Sequence, residues 1–296
     1  MLMPDQDTIK SIVESNFDLS AEMYNAFEDQ SHHFYHLASQ LAEFVGIESG
    51  MTVVDVGCGT GISTYGIAKA VGREGQVIGI DLSEGMLRKA RDRPEERMIG
   101  SREKMAPVGS IEFRKGDAEE LEACIGELAG KVDAVMYNAS IFLLPDAGKA
   151  LLEAKLSLKE GGVVGMNYPL GLWGNRMWRD GPDLFKRGKK EGLEDAPYGK
   201  SIVNIEKLPD FLRRAGFGNV RNRIIEMVLT REEVEAFYSI PAQSAGLYPK
   251  TPFPERQEKL RSLLDHFTDL GIEEFVQKWN FTRARKGHGG IIDPSA

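Results

Sequence analysis

An α/β fold built on an open, mostly parallel sheet is what this 296-residue sequence predicts, and three observations carry the prediction. Val53-Val54-Asp55-Val56 is a short β-branched run that feeds straight into Gly57-Cys58-Gly59-Thr60-Gly61, and a helical segment opens at Ile62. Further short apolar runs follow at Val77–Asp81, Ile111–Arg114, Val132–Tyr137 and Gly162–Tyr168, with helical stretches between them. Alternating strands and helices are the pattern of a sheet covered on both faces. The composition, 42 % hydrophobic and 28 % charged, is that of an ordinary globular chain.

The glycine turn comes first because it defines a binding site. Without a Cβ, glycine lets a ligand's polar atoms reach bare backbone and tolerates unusual dihedrals, so a strand–glycine turn–helix junction is a nucleotide-type site. The dinucleotide fingerprint G-x-G-x-x-G/A wants Gly or Ala where this chain has Ile62. Asp55 is a carboxylate inside a buried strand and needs a cationic or N–H-rich partner. Asp81, at the tip of the second strand, is placed to accept hydrogen bonds from both ribose hydroxyls, a feature shared by several nucleotide folds. Ser83 is a candidate N-cap for a helix through Arg91. A later helix is expected over Asp146–Lys159, stopped by Gly161-Gly162.

The ordered motifs resemble those of class I S-adenosylmethionine (SAM) methyltransferases of the small-molecule type. Val53–Gly61 is similar to V-h-D-h-G-C-G-T-G, and Asp81-Leu82-Ser83-Glu84-Gly85-Met86-Leu87 to D-h-S-x-x-M-L. Gly116-Asp117-Ala118 resembles the family's G-D-A, Asn138-Ala139-Ser140 stands at its fourth motif, and Leu208–Phe217 resembles its L-x-x-A-G-F junction. The resemblance implies a seven-stranded, mostly parallel Rossmann-like methyltransferase sheet with helices on both faces, and SAM as cofactor. It implies cofactor contacts from Asp55, Gly57, Cys58, Gly59, Thr60, Gly61, Asp81, Leu82, Met86, Gly116, Asp117, Ala118 and Asn138. Met86 would face the adenine, Asp117 its amino group, and Asn138 the sulfonium. Phe17–Tyr24 is similar to the Y-D-x-x-A-x-x-Y segment of an N-terminal covering helix, with Phe17 in place of the first tyrosine.

Composition sets limits on function. No apolar run approaches 18 residues, so no membrane span is expected, and residues 1–15 lack the features of a signal peptide, which points to a cytoplasmic protein. Two cysteines, Cys58 and Cys124, make neither a disulfide framework nor a metal cluster. A formal charge of −8 disfavours a nucleic-acid substrate. The basic run Lys186-Arg187-Gly188-Lys189-Lys190 is expected to be a solvated loop. The absence of Asn-Pro-Pro-Tyr after the fourth strand argues against family members that methylate amides or adenine amines. The cysteine count argues against the arsenite-methylating type.

Five regions are expected. Residues 1–47 form a helical cover whose Phe34, Leu37, Leu41, Phe44 and Val45 make one apolar face. Residues 48–168 hold the cofactor core, with a long charged loop from Asp92 to Gly109. Residues 169–200, with Trp173, Met177, Trp178 and Phe185, are an insertion or lid. Residues 201–286 complete the sheet around a helical insertion at 230–271, and 287–296 is a loose tail. The insertions suit a substrate wall or a homodimer contact. In His32-His33-Phe34-Tyr35-His36, His32 and His36 have the spacing to share a helix face, although no metal is expected. Tyr24, His36, Asn138 and Tyr168 are the candidates for touching the acceptor. The expected function is methyl transfer from SAM to a small molecule. The alternatives are a SAM-fold protein that transfers another group or only binds SAM, and a methyltransferase acting on protein or RNA.

Overall fold

The computed structural model describes residues 5–93, 108–174, 183–190, 207–248, 251–253 and 255–287. Most of the expected charged loop, the insertion residues Met177 and Trp178, and the expected tail from residue 288 lie outside the described residues.

In chain order the elements are α1 (Gln6–Ser31), α2 (His33–Val45), β1 (Thr52–Val56), α3 (Ile62–Val71), β2 (Gln76–Asp81), α4 (Glu84–Arg91) and β3 (Ser110–Lys115). Next come α5 (Leu121–Ile125), β4 (Val132–Tyr137), α6 (Ala147–Ser157), β5 (Leu158–Gly174), α7 (Leu184–Lys190) and α8 (Leu208–Arg214). The chain continues with β6 (Phe217–Leu229), α9 (Arg231–Tyr238), α10 (Pro241–Leu247), α11 (Glu255–Asp269) and β7 (Phe275–Lys286).

The strands form one seven-stranded sheet in the order β3-β2-β1-β4-β5-β7-β6. The ladders β2–β3, β1–β2, β1–β4 and β4–β5 are all parallel. Val53, Val54, Val77, Ile78, Val135 and Met136 are fully buried, which is why these strands read as continuous apolar runs rather than alternating ones. Strand order reverses between β1 and β4, and ligands of open α/β sheets bind outside the carboxyl ends of the strands at such a switch. The glycine turn follows β1 and Asn138 follows β4, so both stand at the reversal.

By internal contacts the chain divides into two compact units. The first comprises Met1–Tyr168, Ser201–Arg223 and Phe281–Ala296, and the second Pro169–Lys200 and Ile224–Asn280. In the second unit Leu172, Phe185, Val234, Leu264, Phe267 and Phe275 belong to one buried apolar cluster. There Thr230 and Glu233 form a reciprocal capping box at the start of α9. The Lys278 ammonium lies 4.7 Å from the centre of the Trp173 ring.

Within the first unit, α1 is tied to the cofactor-side edge of the sheet by polar anchors. Asp18 Oδ1 accepts from the Ser83 hydroxyl (2.6 Å) and from the Gly85 amide (2.8 Å). Arg93 donates to Asn25 (2.6 Å) and Asp29 (2.9 Å) while its Nε donates to the Thr60 carbonyl (3.2 Å), which joins α1 to the glycine turn. Helix α2 buries Phe34, Leu37, Leu41 and Val45 of the expected apolar face, together with Ala38 and Ala42, while Phe44, also expected there, is half-buried.

Four local expectations are corrected. Helix α6 ends at Ser157 and β5 begins at Leu158, so Gly161-Gly162 is not a helix stop. Those glycines lie inside the strand where the β4–β5 register shifts between Val132 and Ala134, and Gly161 takes φ 73°. The extra residues are absorbed as a bulge, a task glycine suits. Residues 169–174, expected as the irregular start of an insertion, are strand, the last stretch of β5, although the second unit does begin at Pro169. Lys186–Lys190 is helical, part of α7, because Leu184 and Phe185 bury the start of that segment. His32 sits at φ 51° as the break between α1 and α2, so it does not share a helix with His36.

Candidate active site

One cavity of about 960 Å³, counting the space at its mouth, opens in the first unit. Its floor is the turn after β1. Gly57, Gly59 and Gly61 have φ of 71°, 56° and 80°, a region that ordinary side chains avoid. A Cβ built on Gly59 meets nothing within 4 Å, so the space above this residue is open. At Gly57 the same atom would lie 2.4 Å from the Ser140 Cβ, where the turn after β4 presses on the turn after β1. Ser140 is held there by donating its hydroxyl to the Val56 carbonyl (2.6 Å).

The second wall is Asp81. Its two oxygens accept from the Gly59 amide (2.8 Å) and the Ser83 amide (2.8 Å), so this carboxylate shapes the glycine turn and starts α4. Burial pushes its pKa up to about 6 against those hydrogen bonds. Met86 is buried beside it, and Ser83 caps α4 by accepting from the Met86 amide (3.0 Å). Asp117 closes the third side, with Oδ1 accepting from the Glu119 amide (2.8 Å) and Oδ2 from Lys10 Nζ (2.7 Å). Lys10 also pairs with the buried Glu119 carboxylate (2.8 Å). Burial works against the Lys10 charge, but these two acids hold its pKa above the usual lysine value.

Of the residues expected to hold a cofactor, Gly57, Cys58, Gly59, Thr60, Asp81, Leu82, Met86, Gly116, Asp117, Ala118 and Asn138 all line this cavity. Two do not. Asp55 lies beneath the turn, fully buried, with Oδ2 accepting from the Thr64 hydroxyl (2.7 Å) and Oδ1 without a hydrogen-bond partner. Gly61 is a packing glycine, since a Cβ would meet Phe113 Cζ at 2.9 Å and Ala90 Cβ at 3.0 Å. Of the acceptor-side candidates, Tyr24 and Asn138 line the cavity, while His36 and Tyr168 are outside its lining. His36 is exposed on the outer side of α2 and Tyr168 is buried in the sheet. The inward histidine is His33, whose burial lowers its pKa to about 4. Asn138 donates to the Phe34 carbonyl (3.1 Å) and accepts from Asn167 Nδ2 (2.7 Å), which ties the end of β4 to the start of α2.

Sequence reasoning missed Lys10 and Glu28, both of which line the cavity. A signal existed: Lys10, Val13, Phe17, Tyr24 and Glu28 recur at helical spacing on α1, one stripe facing inward. Polar residues at the two ends of an otherwise apolar stripe are the unusual feature. Among the described residues no group of three or more His, Cys, Asp or Glu side chains is arranged to hold a metal ion.

A glycine turn at the switch of a parallel sheet, facing a carboxylate at the tip of the next strand, defines an α/β protein that binds a nucleotide-like cofactor. A family model described as a methyltransferase domain matches residues 47–199, and the chain belongs to that family. It is 32 % identical over 160 residues to a demethylmenaquinone methyltransferase of Desulfitobacterium hafniense (strain Y51), covering 54 % of this chain and 56 % of that protein. It is 31 % identical over 168 residues to the aklanonic acid methyltransferase DauC of Streptomyces sp. (strain C5), covering 57 % and 69 %. The crystal structure of the cyclase SpnF shares the fold at a TM-score of 0.56 and 19 % identity, covering 95 % of this chain and 97 % of that one. The chain thus spans little more than half the length of the first of these relatives.

S-adenosylmethionine is the cofactor, and the cradle fits it: Gly59 leaves the space over the turn open. Bound there, SAM supplies an electrophilic methyl group. The chain's own part is to hold that group, exclude water and orient an acceptor.

The buried acids make stability depend on pH. Burial raises Glu28 from 4.5 to about 7, and Asp55 and Asp81 from 3.8 to about 6. A raised carboxyl binds its proton more tightly in the folded state. Its contribution to stability is complete below the unfolded value near 4 and is lost as pH rises through 6 to 7. For Glu28 the swing is on the order of 3 kcal/mol. The ligand-free protein is therefore expected to melt at a lower temperature at pH 7.5 than at pH 5.5. A melting series that rises over this range would contradict the burial of these acids.

Proposed function

We propose that the protein transfers the methyl group of SAM to a small, largely apolar acceptor. The observation that carries this reading is the continuity of one cavity from the glycine turn and Asp81 to an aromatic row on α1 and α2. Phe17 and Tyr24 lie with ring centres 5.9 Å apart, and Tyr24 stacks on Phe34 at 5.4 Å. Gly57–Thr60, Asp81, Leu82, Met86, Gly116–Ala118 and Asn138 are the proposed cofactor residues, with Tyr24 and Asn138 toward the acceptor. The names of the relatives, which give demethylmenaquinone and aklanonic acid as acceptors, support a small organic molecule. The −8 net charge favours such an acceptor over a nucleic acid. A cytoplasmic location accords with two free cysteines, and no described helix is long and apolar enough to cross a membrane.

The test is incubation with methyl-labelled SAM and a whole extract of the producing cell, separated afterwards into small-molecule, protein and RNA fractions. Label in a small product is expected. Label confined to protein or RNA, or no transfer at all, would overturn the proposal.

A further inference from the structure

Glu28 is 0 % exposed, lines the cavity, and is half satisfied. Its Oε1 accepts from the Phe34 amide at 3.0 Å, at the first turn of α2. Its Oε2 is buried without a hydrogen-bond partner. A buried carboxylate oxygen left unpaired is costly unless something completes it. One oxygen is thus held by the Phe34 amide, the Tyr35 amide also favours the carboxylate form, and the second oxygen makes no hydrogen bond within the protein.

The other titratable groups of this cavity are engaged elsewhere. Both Asp81 oxygens accept backbone amides. The Asp117 oxygens hold the Glu119 amide and Lys10. Lys10 is kept protonated by two acids. Burial raises the Cys58 thiol well above its usual value. Tyr24 lines the same wall as a neighbour of Glu28 on α1. His33, buried on α2, is outside the lining.

We propose that Glu28 is the catalytic base of this site, and that Oε2 takes the proton of an acceptor bearing an acidic hydroxyl or an activated C–H. The proposal rests on the methyl-transfer reading above. As the new bond to the methyl carbon forms, the acceptor's X–H bond breaks. Its electron pair stays on X and its proton passes to Oε2. The methyl–sulfur bonding pair stays on sulfur, so one carboxylate and one sulfonium charge disappear together and nothing is oxidised or reduced.

The position suits the task. The Phe34 carbonyl that follows the capped amide holds Asn138 (3.1 Å), so Glu28 is fixed two links from the end of β4. The charges that act on it are Arg93, from beyond α4, which favours the carboxylate, and Asp29, on α1, which disfavours it. His33 is held neutral on α2. Burial outweighs them and leaves Glu28 near 7, where a base both exists ionised and binds a proton usefully at neutral pH.

The deciding variant is Glu28→Gln, which keeps an oxygen for the Phe34 amide but cannot take a proton. Turnover on the extract fraction labelled by wild type is expected to fall about 10²–10⁴-fold, the range for general bases. The rising single-proton limb of the wild-type pH profile is expected to vanish. Calorimetry with S-adenosylhomocysteine should give wild-type affinity. The ligand-free variant should lose the wild-type fall in melting temperature between pH 5.5 and 7.5 that Glu28 causes.

Wild type that transfers no methyl would overturn the methyl-transfer reading and this proposal with it. Active wild type with an equally active Glu28→Gln, or one with an unchanged pH limb, would overturn this proposal alone. A variant that weakens SAM but not S-adenosylhomocysteine and keeps the pH limb would show that Glu28 only balances the sulfonium charge. A variant whose sole defect is a lower melting temperature at every pH would reduce Glu28 to a cap of α2.

Discussion

Asp81→Ala is expected to weaken SAM by about 2–3 kcal/mol, roughly 30- to 150-fold, with a modest effect on the sheet. The size follows from what the carboxylate does in two directions. Toward the ligand it lines the cavity at the tip of β2, where the proposed reading has it accept from the ribose hydroxyls. Toward the protein it accepts the Gly59 and Ser83 amides at 2.8 Å each. Alanine removes the acceptor for both amides, so the glycine turn loses the group that sets its shape and α4 loses a tie at its start. Preorganisation and direct contact therefore fall together. Asp81→Asn should recover little, because its amide group cannot accept from a second N–H. Calorimetry with S-adenosylhomocysteine measures the loss, and near-UV circular dichroism checks the fold. Unchanged affinity in either variant would remove Asp81 from the site.

Much of this site was legible because it is local. Gly57 to Thr60, Asp81 and Asp117 each stand at the end of a strand that reads plainly from its apolar residues, so chain order alone places them at the strands' carboxyl ends. The boundaries of β4 and the cap at Ser83 are likewise written in neighbouring residues. What failed to read were features set by partners distant in sequence. Gly161-Gly162 looks like a helix stop until the β4–β5 register shows a bulge. Gly61 looks like a ligand glycine until Phe113 and Ala90 are seen to fill its space.

The histidine cluster shows the same limit. His33 and Phe34 are buried and His32 and His36 exposed, in a helix whose start depends on the left-handed break at His32. His36, expected at the crevice, is exposed, whereas His33 is the one turned inward. Lys10 and Glu28 belong to this class too. Nothing within ten residues of Lys10 hints at Asp117, 107 positions away, with which it pairs. Only once α1 is known to lie over the glycine turn does its inward stripe acquire chemical meaning.

Replacing Gly59 with valine is expected to abolish measurable SAM binding while the protein still folds, and the neighbouring glycine supplies the contrast. At Gly59 an added side chain meets no protein atom within 4 Å and enters the cavity instead. The cost to folding is then mainly the left-handed backbone at φ 56°, on the order of 1–2 kcal/mol for a residue with a Cβ, and more for a branched one. At Gly57 the backbone penalty is similar, but even alanine's Cβ would lie 2.4 Å from the Ser140 Cβ. Ser140 cannot yield easily, because its hydroxyl is bonded to the Val56 carbonyl. Overpacking of that kind adds about 1–3 kcal/mol. Gly57→Ala should therefore lower the melting temperature more than Gly59→Ala, although it adds the same single carbon. Gly59→Val should lose S-adenosylhomocysteine binding with a smaller drop in melting temperature than Gly57→Val. Thermal melts and calorimetry on the four variants decide it. Binding retained in Gly59→Val would mean that the open space above Gly59 is not where the ligand lies, and equal destabilisation at the two positions would mean that Ser140 does not confine Gly57.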